Sequence, residues 1–213
     1  ARPLHFFWIC DCSGSMSVDG KIQALNAAIR EAIPHMQKAA YENPNAKVFV
    51  RAISFSDGAR WHIPVPVPVE QFTWDDLTAE GVTDMGKALS AVAGQLQILP
   101  DRGLPPVLVL ISDGQPTDDF EQGLQEILSH PWGKKSIRVA ISIGEDADFK
   151  VLKRFISNPE IKPLQANNPE ALVNYIRWVS TVVLQSASSP ASQAAHHTTL
   201  PPILDHGGQE DIW

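Results

Sequence analysis

The sequence predicts an α/β fold: a doubly wound, mostly parallel central sheet with one antiparallel edge strand and helices on both faces. Three observations carry that expectation. Short apolar runs alternate with segments whose apolar residues recur at helical spacing. The run from Pro105 to Ser112, PPVLVLIS, is almost continuously apolar. A single run, Trp61 to Val69, carries proline at every second position. Alternating strands and helices require right-handed crossovers between parallel strands. A continuous apolar strand is one covered on both faces, and a strand lacking alternate N–H donors belongs at an edge.

Taken in order, Leu4 to Cys10 is short, apolar and aromatic-rich and ends abruptly in Asp-Cys-Ser-Gly-Ser, so it is a buried strand followed by a turn. Ile22, Leu25, Ile29 and Ile33 recur at helical spacing up to Pro34, which predicts an amphipathic helix kinked there and continuing through Met36. Lys47 to Phe55 is a second strand, and the proline-bearing run is its hairpin partner. A helix from about Met85 to Leu99 carries Met85, Leu89, Val92, Leu96 and Leu99 on one stripe and precedes the strand that ends at Ser112. Two further pairs follow: a helix over 118–128 with a strand over 136–143, and a helix over 148–156 with a short strand over 161–164. A last helix runs from Pro169 to about Leu184.

The chain is long enough for one domain, and 44% hydrophobic residues supply its core. Residues 1–186 form that domain in this reading. From Ser186 the composition turns small and polar, SASSPASQAAHHTTLPP, so 187–213 is expected to be a flexible C-terminal tail. Seventeen Lys and Arg against 24 Asp and Glu give a formal charge of -7, which argues against nucleic acid as a partner and for a cation as ligand. The only cysteines, Cys10 and Cys12, would share one face of a strand, a poor arrangement for a disulfide and too few for a zinc site. No apolar stretch reaches the roughly 18 residues of a membrane span, and the opening segment is too short for a signal peptide. The expected setting is soluble and cytoplasmic.

In such a sheet, ligands collect at the carboxyl ends of strands where strand order reverses. The first strand ends in Asp11, with Ser13 and Ser15 at alternate positions of the turn. The strand over 107–112 ends in Asp113-Gly114, and Thr83 lies in EGVTDMG before a helix. Asp11, Ser13, Ser15, Thr83 and Asp113 thus form a candidate site of oxygen donors without sulfur or imidazole, suited to Mg²⁺ or Mn²⁺. Each also has a plainer use: the serines as helix caps, Asp113 as the start of a turn. Asp84, Asp118 and Asp119 are expected to serve the helices that follow them.

The motifs DCSGSM, the Thr of GVTDMGKAL and the Asp of LISDGQPTDD resemble the metal-ion-dependent adhesion site of von Willebrand factor A (VWA) domains. The resemblance covers about residues 3 to 186 and implies a Rossmann-like VWA fold. It also implies that Ser13 and Ser15 ligate the metal directly, Thr83 directly or through water, and Asp11 and Asp113 mostly through waters. An ion with neutral ligands then seeks a carboxylate, which implies a protein partner that supplies Asp or Glu. Together with SIGEDADFKVLKRF, the same motifs resemble an intracellular bacterial subgroup, the tellurium-resistance TerY-type proteins. That likeness implies a stress-response system with a protein kinase and a PP2C-type phosphatase as partners.

An aspartyl phosphotransferase would need a second acid two residues after Asp11, where Ser13 stands, or a phosphate-holding lysine. The nearest lysine, Lys21, has no motif around it. No catalytic residues are assigned, and the chain is not expected to be an enzyme. The alternative function is a scaffold that recruits a kinase, phosphatase or ATPase through its tail, with the metal only structural. His62, His130, His196 and His197 show no ligand spacing, and Trp213, at the end of a polar tail, is the candidate anchor of a docking peptide. Ser188, Ser189, Thr198 and Thr199 are candidate phosphate acceptors.

Overall fold

The computed structural model describes residues 1–188 and 211–213. Six strands form one sheet: β1 (Arg2–Asp11), β2 (Ala46–Ser56), β3 (Gly58–Pro68), β4 (Val107–Ser112), β5 (Ile137–Ile143) and β6 (Leu164–Ala166). They are ordered β3-β2-β1-β4-β5-β6, with every neighbouring pair parallel except β2 and β3. The helices are α1 (Lys21–Tyr41), α2 (Met85–Gln97), α3 (Phe120–Leu128), α4 (Pro131–Lys135), α5 (Phe149–Ile156), α6 (Pro169–Trp178) and α7 (Leu184–Ser188). This is the doubly wound α/β architecture the sequence predicts, with the antiparallel strand at the edge.

Alternation along β1 sorts its side chains to the two faces. Leu4, Phe6, Trp8, Cys10 and Cys12 join a core with α1 and α6, whereas Phe7 and Ile9 join a second core with α2, α3 and α5. Burial of each large apolar side chain stabilises by roughly 1.5–3 kcal/mol, so β1, buried from Phe6 onward, and β4, buried throughout, are strands that both layers hold. Cys10 and Cys12 are buried and free on the same face.

The proline-rich strand leaves the ladder where its prolines fall. β3 pairs through Val67 with Val50 and through Ile63 with Ala52, so Pro64 to Pro66 bulge away from β2 between them. Helix α1 runs past Pro34 to Tyr41, beyond the predicted end. Met36 and Ala39 continue the buried stripe and hold the helix together beyond the missing donor. β6 pairs from Leu164 rather than over the predicted 161–164, because Pro163 cannot donate to the ladder; Ile161 packs into the second core instead. The last predicted helix is interrupted by a π-helical turn, Val179–Val183, where Thr181 Oγ1 bonds back to Arg177 O at 2.8 Å. It resumes as α7, with Ala187 and Ser188 buried and Ser188 Oγ bonded to Leu184 O. Ser188 is therefore withdrawn from solvent and ill placed to accept phosphate, while Ser189, Thr198, Thr199, His196 and His197 lie outside the described residues. Among the described residues no helix is long and apolar enough to cross a membrane.

Candidate functional site

β1 and β4 are neighbours, yet the chain leaves them toward opposite edges of the sheet, so the strand order reverses between them. The crevice at their carboxyl ends is where the five predicted residues meet. Asp11 closes β1 and is fully buried. Its Oδ1 accepts the Ser13 N–H at 2.8 Å and its Oδ2 accepts the Ser112 hydroxyl at 2.6 Å. Burial pushes the Asp11 carboxyl above its ordinary range; hydrogen bonds from Ser112 and Ser13 oppose the shift and the nearby Asp113 charge adds to it.

The turn after β1 brings Ser13 Oγ to 3.1 Å from Ser15 Oγ, and Ser15 Oγ donates to Asp113 Oδ1 at 2.7 Å. Ser13 makes no side-chain cap bond, so the plain capping reading does not describe it. Ser15 alone of the five is exposed and forms the mouth of the site. Thr83 Oγ1 and Ser15 Oγ both face the open side of Gly114, each 3.9 Å from where a Cβ would stand.

Thr83 reaches the crevice because the loop carrying it is laced to the β1 turn. Gly14 N–H donates to Gly81 O at 2.9 Å and Glu80 N–H to Cys12 O at 2.8 Å. Gly81 has φ of 78° and packs on the Asp57 carboxylate, where a Cβ would lie 2.7 Å from Oδ1, so only glycine fits. Thr83 N–H donates to Thr117 Oγ1 and Thr117 N–H to Thr83 O, joining this loop to the one after β4.

The site and its supports include residues for which the sequence pattern indicates another role or none. Lys21, which has no motif around it in the sequence, places its ammonium 3.0 Å from Asp113 Oδ2 and is buried. It is the first residue of α1, and the turn from Ser15 aims it back over the strand ends. Asn26 accepts Trp74 Nε1–H at 3.0 Å and Leu77 N–H at 2.8 Å, and donates to Leu77 O at 2.9 Å. Those three bonds pin the long connection that leads to Thr83. The signal was a polar residue one turn after Ile22 on the buried stripe of α1.

Of the three acids assigned to helix starts, only Asp119 caps its own helix, accepting Gln122 N–H. Asp118 accepts the N–H groups of Gly86 and Lys87, both at 2.8 Å, and so caps α2 from across the molecule. Asp84 makes no cap bond to α2; it takes Lys87 Nζ and Gly58 N–H, which hold its carboxyl below the ordinary range.

The donor set fits a small divalent cation. Apart from the Lys21 ammonium on Asp113, the converging atoms are hydroxyl and carboxylate oxygens, and the Ser13–Ser15 and Ser15–Asp113 spacings match the roughly 3 Å edge of an octahedron of oxygens around Mg²⁺. Among the described residues no three His, Cys, Asp or Glu side chains gather into a group that could hold a metal ion, so the hydroxyl oxygens are an essential part of this donor set. Burial also pushes both thiols up, Cys12 to about 12, which keeps them protonated. Both oxygens of Asp11 are engaged and inaccessible, so it has no free lone pair facing solvent with which to attack a phosphoryl group.

Comparison with known proteins gives the class of fold. No protein-family profile and no curated protein matches the sequence. Solved structures do match. They include a von Willebrand factor type A protein from Catenulispora acidiphila, at 19% identity over 86% of this chain and 43% of that one, TM-score 0.65. The ArnB paralog VWA2 from Sulfolobus acidocaldarius matches at 19% identity over 83% and 45%, TM-score 0.61. Proximal thread matrix protein 1 from the mussel byssus, solved with a zinc-occupied MIDAS motif, matches at 14% identity over 86% and 46%, TM-score 0.61. The chain spans less than half the length of these three proteins. It has a VWA-like fold.

Proposed function

We propose that this chain is a metal-dependent protein-interaction module. Asp11, Ser13, Ser15, Thr83 and Asp113 would hold Mg²⁺ or Mn²⁺, and an Asp or Glu of a protein partner would complete the coordination. The observation that carries the reading is the convergence of hydroxyl and carboxylate oxygens from three loops on the crevice between β1 and β4, with Ser15 at its open mouth. A bound ion would supply an electrophilic centre there, and the protein's own residues fix where it sits. Asp11 orders the Ser13 backbone, and Asp113 orients Ser15. Val18 and Val82, exposed on the loops that carry Ser15 and Thr83, offer apolar contact to a partner beside the polar centre. A solved protein of the same fold is described with a zinc-occupied MIDAS motif, which supports the assignment by analogy.

The resemblance of the motifs to TerY-type proteins extends the proposal to a cytoplasmic bacterial stress-response system of the tellurium-resistance kind, with a protein kinase and a PP2C-type phosphatase as partners. Calorimetric titration of Mn²⁺ and Mg²⁺ into chelator-treated protein, with Asp113→Ala as control, tests the site. Saturable one-site binding that the variant loses is expected. Absence of binding in the unaltered protein, or capture of partner proteins that is unchanged in EDTA, would overturn the reading.

A further inference from the structure

The same rim of the sheet carries a second feature, one that uses backbone groups. β5 ends at Ile143 and is followed by Gly144, whose φ is 78°; β6 ends at Ala166 and is followed by Asn167. The segment Asp211–Trp213 lies across these two strand ends. Ile212 N–H and Trp213 N–H both donate to Asn167 O, at 2.9 and 3.1 Å. The bare face of Gly144 receives Trp213, whose Cβ would lie 3.3 Å from a Cβ placed there. The indole is half-buried against the core that contains β1 and α1, and its Nε1–H donates to Asp19 O at 3.0 Å.

Asp19 is the point in the metal-site loop most in need of a fastening. It has φ of 52°, in the left-handed region that non-glycine residues seldom occupy, and it interrupts the 3-10 turns of Gly14–Gly20. Two residues later the chain enters α1 with Lys21, whose N–H donates to Met16 O and Val18 O and whose ammonium rests on Asp113. Trp213 thus grips a carbonyl of the positive-φ turn that lies between Ser15 and Lys21.

We infer that the groove formed by Gly144, Asn167 and the Asp19 carbonyl is a peptide-binding site whose ligand is the chain's own Asp211-Ile212-Trp213, and that its occupancy holds the Gly14–Gly20 loop in the form that sets Ser15 and Lys21 on Asp113. The ligand chemistry is an extended segment with two successive N–H donors, an outward aliphatic residue and an indole. Ile212 remains exposed when docked, so the segment adds an apolar side chain to the rim. The docking itself is independent of any metal; only its effect on metal and partner affinity rests on the interaction-module reading.

The test uses the full chain and its Trp213→Ala variant, both in EDTA, with a fluorescein-labelled synthetic peptide of residues 205–213 as probe. The variant's vacated groove is expected to bind the peptide saturably, the unaltered chain at least tenfold more weakly because its groove is filled, and the peptide carrying Trp213→Ala not at all. Hydrogen exchange read in parallel is expected to be faster at the Lys21 amide in the variant, with exchange in β1 and β4 unchanged as the check on folding. Trp213→Phe, which keeps the ring and loses the N–H, should fall between. Equal peptide binding by variant and unaltered chain, or no binding by the variant, would overturn the assignment, as would identical exchange at Lys21. A later Mg²⁺ titration of both proteins reads the coupling separately: if neither binds metal while the peptide result holds, the latch stands and the metal reading fails.

Discussion

Two carboxylates stand at neighbouring strand ends and are held in opposite ways. Asp11 is clasped by the backbone N–H of Ser13 and by the hydroxyl of Ser112 at the end of the adjacent strand, and solvent does not reach it. Asp113 is held by two side chains, Ser15 Oγ and Lys21 Nζ, that enter from a single turn and helix start. The first arrangement is a frame, since its partners belong to the turn and the sheet. The second is a set of exchangeable contacts, because rotation of Ser15 or Lys21 frees an Asp113 oxygen without moving the backbone. The proposed ion site would use one of each: a carboxylate that fixes the loop and another that can change partner.

Asp11→Ala should have the largest effect. It leaves the buried Ser13 N–H without its acceptor and the Ser112 hydroxyl with only the long contact to Gly114 O at 3.5 Å, at about 1–3 kcal/mol each. A loss of roughly 3 kcal/mol in urea unfolding is expected, together with at least a hundredfold loss in Mn²⁺ affinity by calorimetry. Asp113→Asn should cost less, about 1.5–3 kcal/mol, the range for one hydrogen bond to a charged group, because the amide oxygen can still accept a hydrogen bond at the Ser15 and Lys21 end of the site. Adding Lys21→Met to that variant should restore part of the loss. If Asp113→Asn proved as damaging as Asp11→Ala, the distinction between frame and exchangeable contact would collapse.

Lys21→Met alone sharpens the contrast further. The ammonium 3.0 Å from Asp113 repels an incoming cation and occupies one of its oxygens. Its removal should tighten Mn²⁺ binding about tenfold, the effect of about 1.4 kcal/mol, while lowering stability in EDTA. Weaker metal binding in this variant would mean that Lys21 builds the site rather than competing for it.

The smallest effect comes from the opposite end of β1, where His5 stacks on Phe49 with ring centroids 5.4 Å apart. Burial, and then the Arg51 charge, push its imidazole down from 6.5 to about 4. Between those values the unfolded chain binds a proton that the folded chain refuses. The stability this group contributes is therefore fully present above pH 6.5 and is lost as pH falls toward 4. His5→Phe should flatten the thermal-unfolding profile across that window and leave Mn²⁺ affinity unaltered, which separates the two ends of the strand.

The contrast between the two ends also marks how far the sequence could be read. The layers were legible because their signal is local. The apolar run of PPVLVLIS, the stripe of α2 and the alternate prolines of β3 each state a period or a missing donor within a few residues. The five oxygen-bearing residues were legible because each sits at a strand end or before a helix, where topology decides the meeting point. Lys21, Asn26 and the crossing cap from Asp118 to α2 were not, since each depends on a partner between 31 and 92 residues away that no local pattern names. The start of β6 differs from the expected one for the opposite reason: a local feature, Pro163, outweighs the apolar Ile161.

The bulge at Pro64 to Pro66 bears on how this molecule can assemble. An unpaired strand edge invites another chain to add itself, strand upon strand, and a sheet can lengthen that way without limit. Here one flank lacks N–H groups at Pro64, Pro66 and Pro68 and steps out of line between Ile63 and Val67, while the other flank is a strand of only three residues. With both flanks poor templates for polymerisation, strand addition is disfavoured at either edge, and the carboxyl rim is the face on which the proposed association would have to occur.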